Sequence, residues 1–347
     1  MMKRLLLMAL LLGLVVVPLG AYVRLSDAGL GCPDWPGCYG HMVLPAGEKA
    51  QQAASAYPDR PLEPHKAWKE MIHRYVAGTL GLLVLAIAVV AWRARRQRPV
   101  EARLGLLLLG VIVFQALLGM WTVTLKLKPL IVMGHLLGGL TTISLILALL
   151  LLHRGQPLFG QMAWQPRDRN LARMALIGLL LLVAQIALGG WTSANYAALA
   201  CPDFPQCQSQ WWPAMDFREA FVLWRGIGIN YEFGILDSPA RTAIHMSHRM
   251  GAVVVALYLA WLAMRLLWAG SIGARRLGLG LLLLLLLQLS LGISNVVFHL
   301  PLPVAVAHNA GAALLLLMLV TINLMLWRLP ATEAEGAPIR GGVQCPP

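Results

Sequence analysis

Eight separate apolar runs, each about 20 residues long, leave this chain few folds to choose from. They lie near 5–23, 73–92, 104–125, 131–152, 172–192, 247–268, 277–297 and 304–327. As a helix, a run of that length matches the hydrocarbon thickness of a bilayer and satisfies its own backbone polar groups without water. Composition agrees, with 59% hydrophobic and 12% charged residues. A soluble domain keeps about a quarter of its residues charged to cover its surface. The expected fold is all-α and integral to the membrane, with eight transmembrane helices. Short Arg-rich turns and two long loops, 24–72 and 193–246, join them.

Charge sets the orientation. With the N-terminus inside, the inner segments carry a net +12 and the outer ones +1, which accounts for the total of +13. Both termini are therefore expected to be cytoplasmic. The start, Met1-Met2-Lys3-Arg4 before a leucine run, also fits a signal peptide. Either reading exports the 24–72 loop. No Arg- and Ser-rich transit segment precedes the first helix, so a bacterial plasma (inner) membrane is expected. The basic residues flank spans and form no continuous face, which argues for membrane lipid and against nucleic acid as the partner.

The chain repeats itself. Cys32-Pro-Asp-Trp-Pro-Gly-Cys38 returns as Cys201-Pro-Asp-Phe-Pro-Gln-Cys207, and Leu19-Gly20 as Leu188-Gly189. His73-Arg74 returns as His248-Arg249, Gln115 through Gly119 as Gln288 through Gly292, and His135 as His308. Five landmarks in one order and at nearly constant offset imply two duplicated four-helix bundles. The halves are 1–165 and 166–330, with a cytoplasmic tail at 331–347. An even number of spans per half makes them parallel repeats.

Histidines inside a membrane are costly without a partner or ligand. His153 sits at an inner helix end, where interfacial solvation accounts for it. His41, His65 and His299 lie in outer loops or at an outer helix end. His73, His135, His248 and His308 form the repeated set at the outer ends of helices 2, 4, 6 and 8. Two imidazoles on facing helices are what axial ligation of a heme iron requires. Helix capping is the simpler explanation for any one of them, but it does not explain four in register. Arg74 and Arg249, each following a histidine, could pair heme propionates through two parallel hydrogen bonds, or could simply snorkel.

Glu70 precedes His73 by three residues and so shares its helix face. The matching position before His248 is His245, so the carboxylate occurs in one half only. A carboxyl there could move protons or stabilise developing charge. The plainer role is a helix-start dipole contact. His245 could also compete with His248 as a ligand. The cysteines fall into two loop pairs, Cys32-Cys38 and Cys201-Cys207, plus Cys345 in the tail as a free thiol. Two local disulfides fit an oxidising exported side, and a four-cysteine zinc site is the alternative. The segment 208–244, with Trp211, Trp212, Trp224 and Tyr231, is expected to be a surface helix or a lid. No Asp-x-x-x-Asp pair and no Gly-rich lysine loop occur, which removes magnesium-dependent prenyl transfer and ATP-driven transport.

The run from Arg24 through Cys38, followed by Glu70-Met-Ile-His-Arg74 and the second Cys-Pro-Asp-Phe-Pro-Gln-Cys, resembles heme A synthase over residues 5–328. The cysteine pairs resemble its disulfide-containing bacterial subgroup. The resemblance implies oxidation of a methyl group on heme O to a formyl group, giving heme A. It implies a substrate heme at Glu70, His73 and His135, a permanent heme b at His248 and His308, and Arg24 beside Arg74 and Arg249 as propionate partners. The implied partners are a heme O synthase (a prenyltransferase) as donor, a terminal oxidase or its assembly factors as acceptor, and an electron acceptor. A diheme electron carrier and a heme carrier or chaperone are the alternatives without turnover.

Overall fold

The structure is a computed structural model that describes residues 1–58, 60–154 and 169–327. Asp168 in one inner turn, and the tail with Glu333, Glu335 and Cys345, lie outside the described residues.

The described chain forms ten helices: α1 Met2–Leu25, α2 Glu48–Ser55, α3 Pro64–Arg93, α4 Pro99–Thr124, α5 Pro129–Arg154, α6 Arg169–Ala194, α7 Phe217–Ala220, α8 Ser238–Leu267, α9 Ile272–Val297 and α10 Leu302–Trp327. All but α2 and α7 are long and apolar enough to cross a membrane. No strand is present among the described residues, where the only β pairing is two isolated bridges.

Two spanning helices begin earlier than hydropathy indicates. α3 starts at Pro64, not near 73, because Pro at the first helical position supplies the right φ and lacks an N–H that would go unpaired. α8 starts at Ser238, where the Asp237 side chain accepts the Ala240 N–H and caps the helix. Their first two turns are polar and escape an apolar count.

α1, α3, α4 and α5 pack in a closed ring, as do α6, α8, α9 and α10. The rings meet through α1, α5, α6 and α10. Small residues allow the closest approaches: Gly105 of α4 lies on Ala91 of α3, and Gly278 of α9 on the backbone of α8. Large apolar side chains such as Leu82 and Leu257, each 69% exposed, face outward, as a bilayer solvent favours.

Both long loops emerge at one end of the bundle, called here the loop end. The segment 208–244 is neither a surface helix nor one continuous element. It holds only the single turn α7, an irregular stretch, and the first residues of α8.

Candidate functional site

The two loops share a local design. Each disulfide, Cys32–Cys38 and Cys201–Cys207, closes a short loop, so these four thiols are not available to a zinc ion. Inside the first loop the Asp34 carboxylate accepts the N–H groups of Tyr39 and Gly40, both at 2.7 Å. In the second, Asp203 accepts those of Gln208 and Ser209 at 2.6 and 2.8 Å. In each loop these N–H groups hold a backbone that turns through positive φ at Tyr39-Gly40 and at Gln208-Ser209. Burial raises the Asp203 pKa, but the Ser209 and Gln208 N–H groups outweigh it and hold the carboxyl below its ordinary value.

Each loop is tied to the helix carrying the conserved-spacing histidine. In the first, Cys32 N–H donates to Glu70 Oε2 at 2.9 Å, while Arg74 donates to Glu70 Oε1 at 2.5 Å. Gly31 lets the loop come this close, since a Cβ there would stand 2.7 Å from the Lys66 carbonyl carbon. Arg74 also donates to the carbonyls of Asp34, Pro36 and Gly37. In the second, Cys201 N–H reaches His245 Nδ1 at 3.3 Å, and Arg249 Nε lies 3.3 Å from His245 Nε2. Arg249 donates as well to the carbonyls of Cys201, Asp203 and Gln206. His245, 4% exposed, therefore occupies the place of Glu70, 5% exposed, and its two ring nitrogens are both engaged. Glu70 sits six residues inside α3, beyond the first turn where a helix-start contact acts.

The four repeated histidines lie within their helices, not at the ends. His73 and His248 are about 14–15 Å along α3 and α8, and His135 and His308 about 9 Å along α5 and α10, at 1.5 Å per residue. His73 and His135 are within electrostatic reach of each other, and so are His248 and His308. Each ring rests on a glycine of the neighbouring helix. A Cβ on Gly20, Gly119, Gly189 or Gly292 would come 3.0, 3.2, 3.1 or 3.1 Å from Cε1 of His73, His135, His248 or His308 respectively. The Nδ1 atoms of His73, His135 and His308 are buried without a hydrogen-bond partner. A buried, unpaired imidazole nitrogen is expensive unless a ligand fixes the ring. The residues therefore fit two hemes, each held between two imidazoles.

Arg24 reaches across to the other ring of helices. It donates to Ser193 O at 2.8 Å and stacks 4.1 Å over the Tyr196 ring, and its Nε is buried without a partner.

Sequence reasoning overlooked two features. His153 is not merely solvated; its Nδ1 lies 2.9 Å from Glu101 Oε2, while Arg98 donates to Glu101 Oε1 at 2.7 Å. Gln185 of α6 contacts His248, with Nε2 at 3.0 Å from Nδ1 and 2.9 Å from the backbone oxygen. Laying Gln185 through Gly189 beside the two runs already matched would have found it.

A family model described as cytochrome oxidase assembly protein matches residues 3–320. A heme A synthase of Shewanella oneidensis is 52% identical over 255 residues, covering 73% of this chain and 75% of that protein. Heme A synthases of Shouchella clausii (29% over 214 residues, 60% of this chain and 64% of that one) and Mesorhizobium japonicum (29% over 289 residues, 78% and 75%) are similar at lower identity.

Proposed function

Because the chain belongs to the heme A synthase family, we propose that it is the oxidoreductase converting a methyl group of heme O to the formyl group of heme A. The observation that carries this reading is the asymmetry between the two histidine pairs. Only the pair His73 and His135 has a buried carboxylate, Glu70, one helical turn from a ligand. That pair takes heme O; His248 and His308 hold heme b. When bound, heme b supplies a one-electron relay.

Written with water as the oxygen source, conversion of methyl to formyl releases four protons and four electrons. Something must accept protons where bulk water is scarce. Glu70 is oriented for this task, with one donor on each oxygen: Cys32 N–H on Oε2 and Arg74 on Oε1. Both donors favour the anionic carboxylate, a base ready to take a proton. The disulfide loop keeps that base fixed, and His245 gives the second pair a neutral counterpart with no comparable role.

Among the propionate partners, Arg24 is best placed, since its buried Nε has no protein acceptor. Arg74 and Arg249 spend donors on loop carbonyls and contribute the remainder. The loop end faces out of a bacterial inner membrane, with the termini cytoplasmic. Substrate comes from the prenyltransferase that makes heme O. Product goes to a terminal oxidase or its assembly factors, and the electrons go to a separate acceptor.

A diheme electron carrier uses four histidines equally well, but gives no reason for a carboxylate at one site where an imidazole ties the loop at the other. Extracting the hemes of the purified protein tests the proposal. Heme b together with heme O, heme A or an alcohol intermediate is the expected result. Heme b alone, in two equal sites, overturns it.

A further inference from the structure

Three of the four histidines carry a second feature in common. Gln115, Gln185 and Gln288 each stand four residues before the glycine that supports His135, His248 and His308. Each of these histidines is followed three residues on by a second glycine: Gly138, Gly251 and Gly311. The glutamine side chain lies across that second glycine so closely that a Cβ there would collide with its Oε1 in all three cases. The amide ends at the histidine. Gln115 Nε2 donates to the His135 carbonyl, Gln185 Nε2 meets both Nδ1 and the carbonyl of His248, and Gln288 Nε2 is 3.3 Å from His308 Nε2. In every case Oε1 is buried and unpaired.

At His73 both parts are replaced together. The residue four before Gly20 is Val16, and the residue three after His73 is Val76. Neither side chain can donate or accept, so no amide stands beside His73. Its buried, unpaired Nδ1 is shared with His135 and His308, and the difference at His73 is the missing glutamine. The paired change matters, because a glutamine at 16 has no bed to lie in unless position 76 is glycine.

An imidazole that ligates iron through one ring nitrogen carries its proton on the other, and an acceptor for that N–H fixes both the tautomer and the ring plane. A half-turn of the Gln185 amide brings its unpaired Oε1 to the place where Nε2 now meets His248 Nδ1. We infer that Gln115, Gln185 and Gln288 are positioning residues that lock His135, His248 and His308, and that Val16 and Val76 leave His73 unlocked as the exchangeable ligand of the substrate site. This rests on the assignment of His73 and His135 to the substrate heme. Its logic follows from the difference between a cofactor and a substrate. A resident heme needs two firm ligands, whereas a heme that must depart as product needs one that holds and one that lets go. The ligand that lets go is the one beside Glu70.

The test is the release rate of heme O from the reconstituted full-length protein in detergent to excess apomyoglobin, followed by absorbance. In Val16→Gln/Val76→Gly the missing lock is installed, and release should slow by about tenfold to a hundredfold, the usual effect of a residue that orients a metal ligand. The low-spin spectrum of the second heme reports that the variant is folded. Release at the wild-type rate with that spectrum intact overturns the inference. If the double variant is recovered without the second heme, Gln185→Leu decides instead: faster loss of the second heme supports the lock, and an unchanged rate refutes it. His73→Ala separates the inference from its premise. Release unaffected by His73→Ala removes His73 from the substrate site and the inference with it. Release altered by His73→Ala but not by the double variant overturns the inference alone.

Discussion

Replacing Glu70 with histidine separates its chemical role from its structural one, because the protein already contains the structural control. His245 accepts the Cys201 N–H and meets Arg249 Nε, both at 3.3 Å, in the geometry that Glu70 provides for Cys32 and Arg74. Removing one partner of a buried ion pair costs about 3–5 kcal/mol when the other is left unpaired. Here Arg74 keeps the carbonyls of Asp34, Pro36 and Gly37, and the new imidazole accepts one of the two donors through its single lone-pair nitrogen. The structural cost of Glu70→His should therefore be about 1–2 kcal/mol, the loss of the hydrogen bond to the second donor. Loss of a general base costs roughly a hundredfold to ten-thousandfold in rate, or about 3–5 kcal/mol of barrier. The two expectations are far apart. Glu70→Gln meets the same limit, since its amide accepts through Oε1 alone and turns an NH2 toward the other donor. The assay is the ratio of heme A to heme O in membranes holding equal amounts of protein, with thermal unfolding measured in parallel. Near-complete loss of heme A with little change in unfolding is expected for Glu70→His. A wild-type ratio would refute the argument and return Glu70 to a purely structural role.

Three further outcomes can be checked. Either His248→Ala or His308→Ala should abolish the low-spin bis-imidazole spectrum of the permanent heme, and normal absorbance in both would defeat that assignment. Replacing Cys32 and Cys38 together by serine should lower stability by about 2 kcal/mol through the lost loop closure and should weaken the Cys32–Glu70 bond; unchanged unfolding and an unchanged product ratio would count against the tie. The Asp203 carboxyl is held below its ordinary value, so its contribution to the second loop is complete above the unfolded-state pKa of 3.8 and is lost only as pH falls through the lower folded value. Proteolysis of that loop should run at the same rate at neutral pH as in mild acid, and an acceleration in mild acid would contradict this.

The eight spans were legible because a bilayer demands one simple signal, a long apolar run, and this chain supplies it eight times. The helix starts were not, because Pro64-His65-Lys66 and Asp237-Ser238-Pro239 are polar turns whose helicity comes from a proline and a cap. The four histidines and the disulfide pairs stood out through repetition, and Glu70 through its absence from the second half. The meaning of His245 did not, since sequence spacing offers a ligand and a hydrogen-bond acceptor equally. Its place against the Cys201 N–H depends on how a loop folds back over 44 residues. Gln185 and Val16 were hidden for another reason: the pattern is fourfold, and comparing halves shows only pairs.

The ties across the loop end bear on how the molecule can move. Arg24 holds Ser193, Arg60 pairs with Glu232 at 2.8 Å, Tyr231 N–H donates to Lys126 O at 3.1 Å, and buried Lys128 donates to Gly226 beneath the Trp224 ring. Every one of these contacts runs between the chain before residue 155 and the chain after residue 168. A clam-like parting of the two rings would have to break all four together. The rings are thereby braced against drawing apart at the end of the bundle where both histidine pairs lie.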